Sequence, residues 1–328
     1  MTQPDTSPRF LVIRGGAIGD FIVTLPVLQA LRARWPDAHL SLWAYPHVAR
    51  LALLAGLAND VTSLDRADMA RFFVPSPTFT DAQLALVPTY HIVFNYLHDP
   101  EGQVRSNLLL AGAQQVISCD PIVAQAPAAR HFLAPLMQLA LYDQPDIPAL
   151  DFPPPLLAEG RARLDQVLSA ASTSPAPAAP IALHPGAGAP GKRWPLDGYL
   201  AVAHALQRRH LPVLWILGEA DADLADALDQ ALPDAPRLRN LPLTDLAPAL
   251  AHCRAYLGND SGIAHLAAAL AVPTLTLFGP TDPGTWAPRS RAPARHLRAP
   301  SSLLPNLSFS DVLSALLALL DTTSAPPA

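Results

Sequence analysis

The chain has 328 residues, a net charge of −5 and a mean hydropathy of +0.22; half of it is hydrophobic and only 15% is charged. That length allows two domains of ordinary size, and the apolar content supplies a large core and excludes global disorder. The near-balanced charge argues against a nucleic-acid binder working by bulk electrostatics. No apolar run approaches the roughly 18–20 residues of a membrane span; the longest, Val312–Leu320, is too short. Met1–Arg9 has no basic stretch leading into an apolar one, so no secretory signal is expected. Cys119 and Cys253 are far apart and read as buried thiols in a reducing compartment. The expectation is a cytoplasmic globular protein.

In chain order, Phe10–Arg14 is a β-branched and aromatic run that predicts a buried strand, followed by a Gly-rich turn and a helix over Phe21–Arg34. His39–Ala44 predicts a strand, His47–Leu57 a helix, His91–Tyr96 a strand and Ser106–Ala113 a helix. This alternation predicts a parallel α/β layer with right-handed crossovers. Proline-rich segments then interrupt it, around Pro145–Pro155 and over Ser169–Pro180, with one helix, Leu156–Leu168, between them. A domain boundary is placed near residue 150. Beyond Pro180 the alternation restarts. Strands are predicted over Ile181–His184, Pro212–Leu217, Ala255–Leu257 and Thr274–Phe278. Helices are predicted over Leu196–Arg209, Ala222–Ala231, Leu246–His252 and Ile263–Leu270. A terminal helix spans Ser310–Leu320, with Ser308 or Ser310 as its cap.

Of 22 basic residues 21 are Arg, and the single Lys is Lys192. It stands in His184–Pro195, HPGAGAPGKRWP, between a strand and a helix. The amides of Gly186–Gly188 suit phosphate oxygens, and Lys192 beside Arg193 favours an anionic ligand. The spacing is not that of a P-loop, because no Ser or Thr follows the Lys. Nearer the N-terminus, Arg14–Asp20, RGGAIGD, opens a helix straight after a strand. Its glycines, Gly16 and Gly19, let a ligand approach the backbone. A dinucleotide fingerprint would need Gly where Arg14 stands. Asp20 reads either as a first-turn acid or as a general base at the mouth of a cleft.

Gly258–His265, GNDSGIAH, lies between a strand and a helix. Asp260 and Ser261 are cap residues, Gly262 admits a ligand to the helix N-terminus, and His265 is one turn in, as a packed polar side chain or a contact. Phe278–Pro283, with Thr281 and Asp282, follows a strand where open α/β sheets bind ligands. Asp221 and Asp223 match a bare metal-binding pair, yet both suit the first turn of a helix. Arg289, Arg291, Arg295 and Arg298 read as a solvated face or as a contact for a membrane surface or anionic acceptor. Trp43, Trp194 and Trp215 read as packing residues.

The three motifs RGGAIGD, HPGAGAPGKRWP and GNDSGIAHLAAALAVPTLTLFGPTDP, in that order over residues 10 to 290 or so, resemble glycosyltransferase family 9, the ADP-heptose:lipopolysaccharide heptosyltransferases. The resemblance implies an α/β GT-B architecture with two Rossmann-like parallel-sheet domains facing across a cleft. Residues 1–150 would bind the acceptor and 151–305 the nucleotide sugar, while 306–328 would form a helix and tail packing back toward the first domain. It implies an inverting, metal-independent transfer of a heptose or related sugar from an ADP-sugar to a lipopolysaccharide-core or other surface-glycan hydroxyl, with no cofactor. Asp20 matches the family's base, and Lys192 its diphosphate contact. Asp260, Ser261, Gly262 and His265 match the helix-terminal motif, and the acid near the ribose falls in 219–223, with Glu219 preferred. The resemblance places the protein in the cytoplasm or peripherally on the inner membrane, with no nucleic-acid partner.

One feature stands apart from a heavily phosphorylated acceptor: residues 1–150 hold nine Arg and twelve acids, a net of −3. Alternatives that the sequence leaves open are another nucleotide sugar, a protein acceptor, or a non-catalytic nucleotide-sugar-binding paralogue.

Overall fold

The structure, a computed structural model, describes residues 7–170 and 178–324. The chain divides into two units, Met1–Asp146 and Ile147–Ala328. In the first unit the strands are β1 (Arg9–Arg14), β2 (His39–Ala44), β3 (Asp60–Ser63), β4 (Ile92–Asn95) and β5 (Val116–Ser118). They form one parallel sheet in the order β3-β2-β1-β4-β5. Helices α1 (Ile18–Ile22), α2 (Leu25–Arg34), α3 (Pro46–Leu54), α4 (Asp81–Leu86), α5 (Gln103–Leu110) and α6 (Ala128–Leu133) connect or flank the strands. The apolar runs of β1 and β2 are buried almost throughout, as a sheet covered on both faces requires.

The second unit opens with α7 (Pro154–Ala170) and continues through β6 (Ile181–His184), α8 (Leu196–Gln207), β7 (Val213–Leu217), α9 (Ala222–Ala231) and β8 (Arg237–Arg239). It then runs through α10 (Leu243–Leu250), β9 (Ala255–Asn259), α11 (Gly262–Ala269), β10 (Thr274–Phe278), α12 (Pro283–Trp286), β11 (Ala294–Arg298) and α13 (Phe309–Ser324). Its sheet, also parallel, has the order β11-β10-β9-β6-β7-β8. In each unit the strand order reverses once, between β1 and β4 and between β6 and β9. Open α/β sheets bind ligands outside the carboxyl ends of the strands at this reversal. The motif RGGAIGD leaves β1, the Gly-rich loop with Lys192 leaves β6, and Asp260-Ser261-Gly262 leaves β9.

The structure differs from the sequence expectation in instructive places. The helix expected over Phe21–Arg34 is two helices, α1 and α2. At the break the Thr24 amide bonds back to the Phe21 carbonyl at 3.0 Å, while the Asp20 carbonyl is taken by the side chains of Arg14 and Thr24. The Arg289–Arg298 cluster overlaps an unanticipated strand, β11, at the sheet edge. Arg291 pairs with Asp151, and Arg298 lies 3.9 Å from Asp282. Trp43, Trp194 and Trp215 are buried, as packing residues should be. Most of the Pro/Ala/Ser segment read as a surface loop lies outside the described residues. Ser308 rather than Ser310 caps α13, accepting from the Asp311 amide at 3.1 Å. No described helix is long and apolar enough to cross a membrane.

Helix α13 buries Val312, Leu316, Leu319 and Leu320 among Tyr199 and Leu206 of α8 and Leu275 and Leu277 of β10. Leu316 is fully buried, and truncating such a side chain removes both transfer free energy and packing contacts. Leu316→Ala is expected to destabilise the second unit by about 2–5 kcal/mol, read as a lower urea midpoint. An unchanged midpoint would contradict this packing.

Candidate active site

In the first unit the turn after β1 is built around two charged side chains. Arg14 is 3% exposed and each nitrogen of its guanidinium has a hydrogen-bond partner. Nε donates to the Asp20 carbonyl at 3.2 Å and to Thr24 Oγ1 at 3.1 Å, Nη2 donates to the Asp20 carbonyl at 3.1 Å, and Nη1 to the Tyr96 carbonyl at 3.3 Å. The Arg14 Cζ sits 4.5 Å from the centre of the Phe132 ring, a cation–π contact. Burial pulls this guanidinium below its ordinary pKa, and the Asp20 charge opposes that pull.

Asp20 itself is a first-turn residue of α1, and its Oδ2 accepts from the Ala17 amide at 2.8 Å. Its Oδ1 lies 3.8 Å from Arg14 Nη2, and the side chain is about one-third exposed. The carboxylate is therefore held by the helix start on one side while remaining open to solvent. Gly16 is required here: its φ is +98°, and a Cβ would lie 2.8 Å from Asp20 Oδ2. Gly19 is the second residue of α1 and its carbonyl accepts from Val23.

In the second unit, loops from three strand ends converge. Lys192 Nζ donates to Asp260 Oδ2 at 2.9 Å, and Thr281 Oγ1 donates to the same oxygen. Asp260 is nearly buried while the Lys192 side chain is one-third exposed, so the ammonium keeps a solvent side. The Gly-rich loop is fastened from below by Asn259 at the end of β9. Asn259 Nδ2 donates to the Pro185 and Gly186 carbonyls at 2.8 and 3.2 Å, and its Oδ1 accepts from the Trp194 amide at 3.0 Å. Ser261 is the N-cap of α11 in extended conformation and Gly262 the first helical residue, so the start of the helix offers amides and a favourable dipole to an anion.

The remaining expected residues fall into distinct surroundings. Gly186 is buried and Gly188 exposed in the loop after β6. His265 is buried inside α11. The Arg193 fork is taken by Asp223, with both carboxylate oxygens within 3.1 Å of Nη1, and by the Ala220 carbonyl. Asp223 thus has a cationic partner of its own. Glu219 is exposed in the turn after β7. Asp282 precedes α12, accepts from Thr285 and is held below the usual carboxylate range by that bond first.

Within 219–223 the sequence favours Glu219 over Asp221, which otherwise matches only a bare metal-binding pair or a first-turn acid. Asp221 is 4% exposed, accepts from the Gly218 amide at 2.9 Å, and its Oδ2 lies 3.5 Å from His184 Nε2. Burial pushes its carboxyl up, but the bonds from His184 and Gly218 and the charge of Arg193 together bring it below the ordinary value. A Cβ at Gly186 would lie 2.2 Å from its carboxylate, so this glycine lets the loop close over the acid. The signal was faint: an acid at the start of a helix is common for the dipole alone.

Two parallel α/β units with ligand-suited turns at both strand reversals define a protein of the GT-B fold class. Solved structures agree along nearly the whole chain. A glycosyl transferase family 9 structure from Veillonella parvula has a TM-score of 0.79 at 19% identity, covering 96% of this chain and 98% of that one. The Escherichia coli ADP-heptose lps heptosyltransferase II has a TM-score of 0.77 at 22% identity, covering 97% and 100%. In sequence, the profile described as Glycosyltransferase family 9 (heptosyltransferase) matches residues 123–314. Lipopolysaccharide heptosyltransferase 1 of Pseudomonas aeruginosa is 30% identical over 304 residues, which cover 84% of this chain and 80% of that protein. The chain belongs to glycosyltransferase family 9 and is a glycosyltransferase, as the three motifs led one to expect.

Cys119 is the thiol nearest the first-unit turn in its electrostatics, since the Arg14 charge acts on it. Burial is the larger effect and pushes it up to about 11. Its thiolate fraction at pH 8 is then about one in a thousand. Native protein at pH 8 is expected to react slowly with a thiol reagent at Cys119 and rapidly once unfolded. Fast labelling of the native thiol would contradict this environment.

Proposed function

We propose that the enzyme transfers a heptose or related sugar from an ADP-sugar to a hydroxyl of a lipopolysaccharide-core or other surface-glycan acceptor, with inversion and without a metal. The observation that carries the donor half is the Lys192–Asp260–Thr281 cluster beside the N-terminus of α11, at the strand reversal of the second unit. Lys192 has three N–H donors, and Asp260, itself bonded by Thr281, takes one of them. A diphosphate therefore has the ammonium, the Ser261 hydroxyl and the first amides of α11 as donors. The names of the relatives support ADP-heptose as donor and lipopolysaccharide as acceptor.

The chemistry follows from these groups. Asp20 takes the proton of the acceptor hydroxyl, whose oxygen forms a bond to the anomeric carbon from the face opposite the diphosphate. The bond from that carbon to the phosphate oxygen breaks, and its electron pair leaves with ADP. The transition state has oxocarbenium character, and the charge growing on ADP is stabilised by Lys192 and the amides at Ser261–Gly262. Gly16, Gly19, Gly186 and Gly188 shape the two turns, Glu219 lies toward the ribose, and Thr281 and Asp282 border the diphosphate. His265 supports the helix start and Arg193 tethers the 218–223 turn. The net charge of −3 over residues 1–150 favours an acceptor less phosphorylated than a full lipid A core. Such an enzyme would work in the cytoplasm or at the inner membrane surface, where exposed Arg295 offers a cationic contact.

Asp20→Asn preserves the shape of the side chain and removes its basicity. It is expected to fold and to bind ADP as the parent does, with turnover lower by about 10²–10⁴-fold. Steady-state transfer assays across ADP-, UDP- and GDP-sugars read both the donor choice and this loss. An Asp20→Asn variant at full rate would remove the base from this mechanism.

A further inference from the structure

Beneath the donor loops runs a buried polar chain that the transfer chemistry above does not use. His184 ends β6 and pairs in register with Gly258 of β9, two residues beyond Tyr256 on the same strand. Side chains two apart on a strand share a face. The Tyr256 ring therefore leans along the strand over Gly258, where a Cβ would lie 2.2 Å from the phenol oxygen, and reaches His184 Nδ1 at 3.1 Å. On the other side of the imidazole, Nε2 faces Asp221 Oδ2 at 3.5 Å. Ser261 Oγ also reaches Nδ1, at 3.4 Å. His184, Asp221 and Tyr256 are all nearly or fully buried.

We propose that Asp221, His184 and Tyr256 are a positioning relay that leaves the Ser261 hydroxyl proton free for the diphosphate of the donor. The inference rests on the donor site proposed above and extends it to residues that touch no substrate. The carboxylate of Asp221 keeps the imidazole proton on Nε2, which makes Nδ1 a bare acceptor. Two hydroxyls compete for that one lone pair. Burial holds the Tyr256 phenol well above its ordinary value, so it remains a donor. While Tyr256 donates to Nδ1, Ser261 has only the neutral phenol oxygen as a competing acceptor, and a charged phosphate oxygen, the stronger acceptor, takes its proton on binding. Without the phenol, Ser261 is left as the donor to Nδ1 from this pair, and its hydroxyl turns away from the ligand site.

The test is a double-mutant cycle on the full chain, read by calorimetric titration with ADP and by transfer kinetics. Tyr256→Phe removes one buried oxygen and keeps the ring. It is expected to raise the ADP dissociation constant and the donor KM by about tenfold, the loss of a hydrogen bond to a charged group, with kcat changed far less. Ser261→Ala is expected to weaken ADP similarly, and the double variant to bind no worse than Ser261→Ala alone. A merely structural role of the phenol would make the two losses multiply. Asp221→Asn lets the imidazole proton move to Nδ1, which then no longer draws on the Ser261 proton; it is expected to bind ADP close to the parent, and a tenfold loss in that variant contradicts the relay should the phenylalanine variant misfold. ADP binding that is unchanged in Tyr256→Phe, or losses that multiply with Ser261→Ala, overturns the relay alone. A folded parent chain that binds no ADP overturns the donor-site reading and the relay with it.

Discussion

The ion pair between Lys192 and Asp260 is the contact on which the arrangement of the second unit's strand-end loops depends. Its two members are 68 residues apart and come from the loop after β6 and the turn after β9, and Thr281 from beyond β10 bonds the same carboxylate oxygen. One carboxylate thus registers three strand ends. Asp260 is nearly buried and the Lys192 side chain one-third exposed, so the Coulomb attraction is only partly screened. The pair's role is geometric. It keeps the chain's single Lys at the start of α11, where backbone amides and the helix dipole already favour negative charge. A compact ammonium suits that position better than a guanidinium, because it presents a point charge that a carboxylate and an anion can share.

The first unit solves a different problem with the same materials. There a buried Arg14 grips the carbonyl of Asp20 while the amide of Ala17 grips its carboxylate. Fixing a side chain through both its own backbone and its functional atoms leaves it little rotational freedom, which is the pre-organisation a positioned acid or base needs. The cost is a helix broken after Ile22, since the Asp20 carbonyl no longer serves the helix ladder.

Much of this was legible in the residues and some was not, for physical reasons. Strands β1, β2, β6 and β10 are rich in apolar and β-branched residues and buried almost throughout, because both faces of a parallel sheet are covered, and they read as such. β3 (DVTS), β8 (RLR) and β11 (ARHLR) carry no such run; they lie at or near sheet edges and are strands only because a neighbour pairs with them. The split between α1 and α2 was invisible because the residue responsible, Arg14, precedes the helix and acts through a carbonyl. In the proposed donor site Lys192 stood out by its rarity and Asp260-Ser261-Gly262 by the chemistry of a helix start. Asp221, His184 and Tyr256 gave no comparable signal. Their association depends on strand register and on the glycines that let them approach, which composition and spacing do not encode.

The proposed function requires the second unit to bind a nucleoside diphosphate at the reversal between β6 and β9. A crystal structure of the full chain with ADP tests it most directly. Diphosphate oxygens are expected within hydrogen-bond distance of Lys192 Nζ and of the Ser261–Gly262 amides, with Asp260 still bonded to the lysine. A diphosphate bound elsewhere on the chain, with Lys192 and the start of α11 untouched, would contradict it.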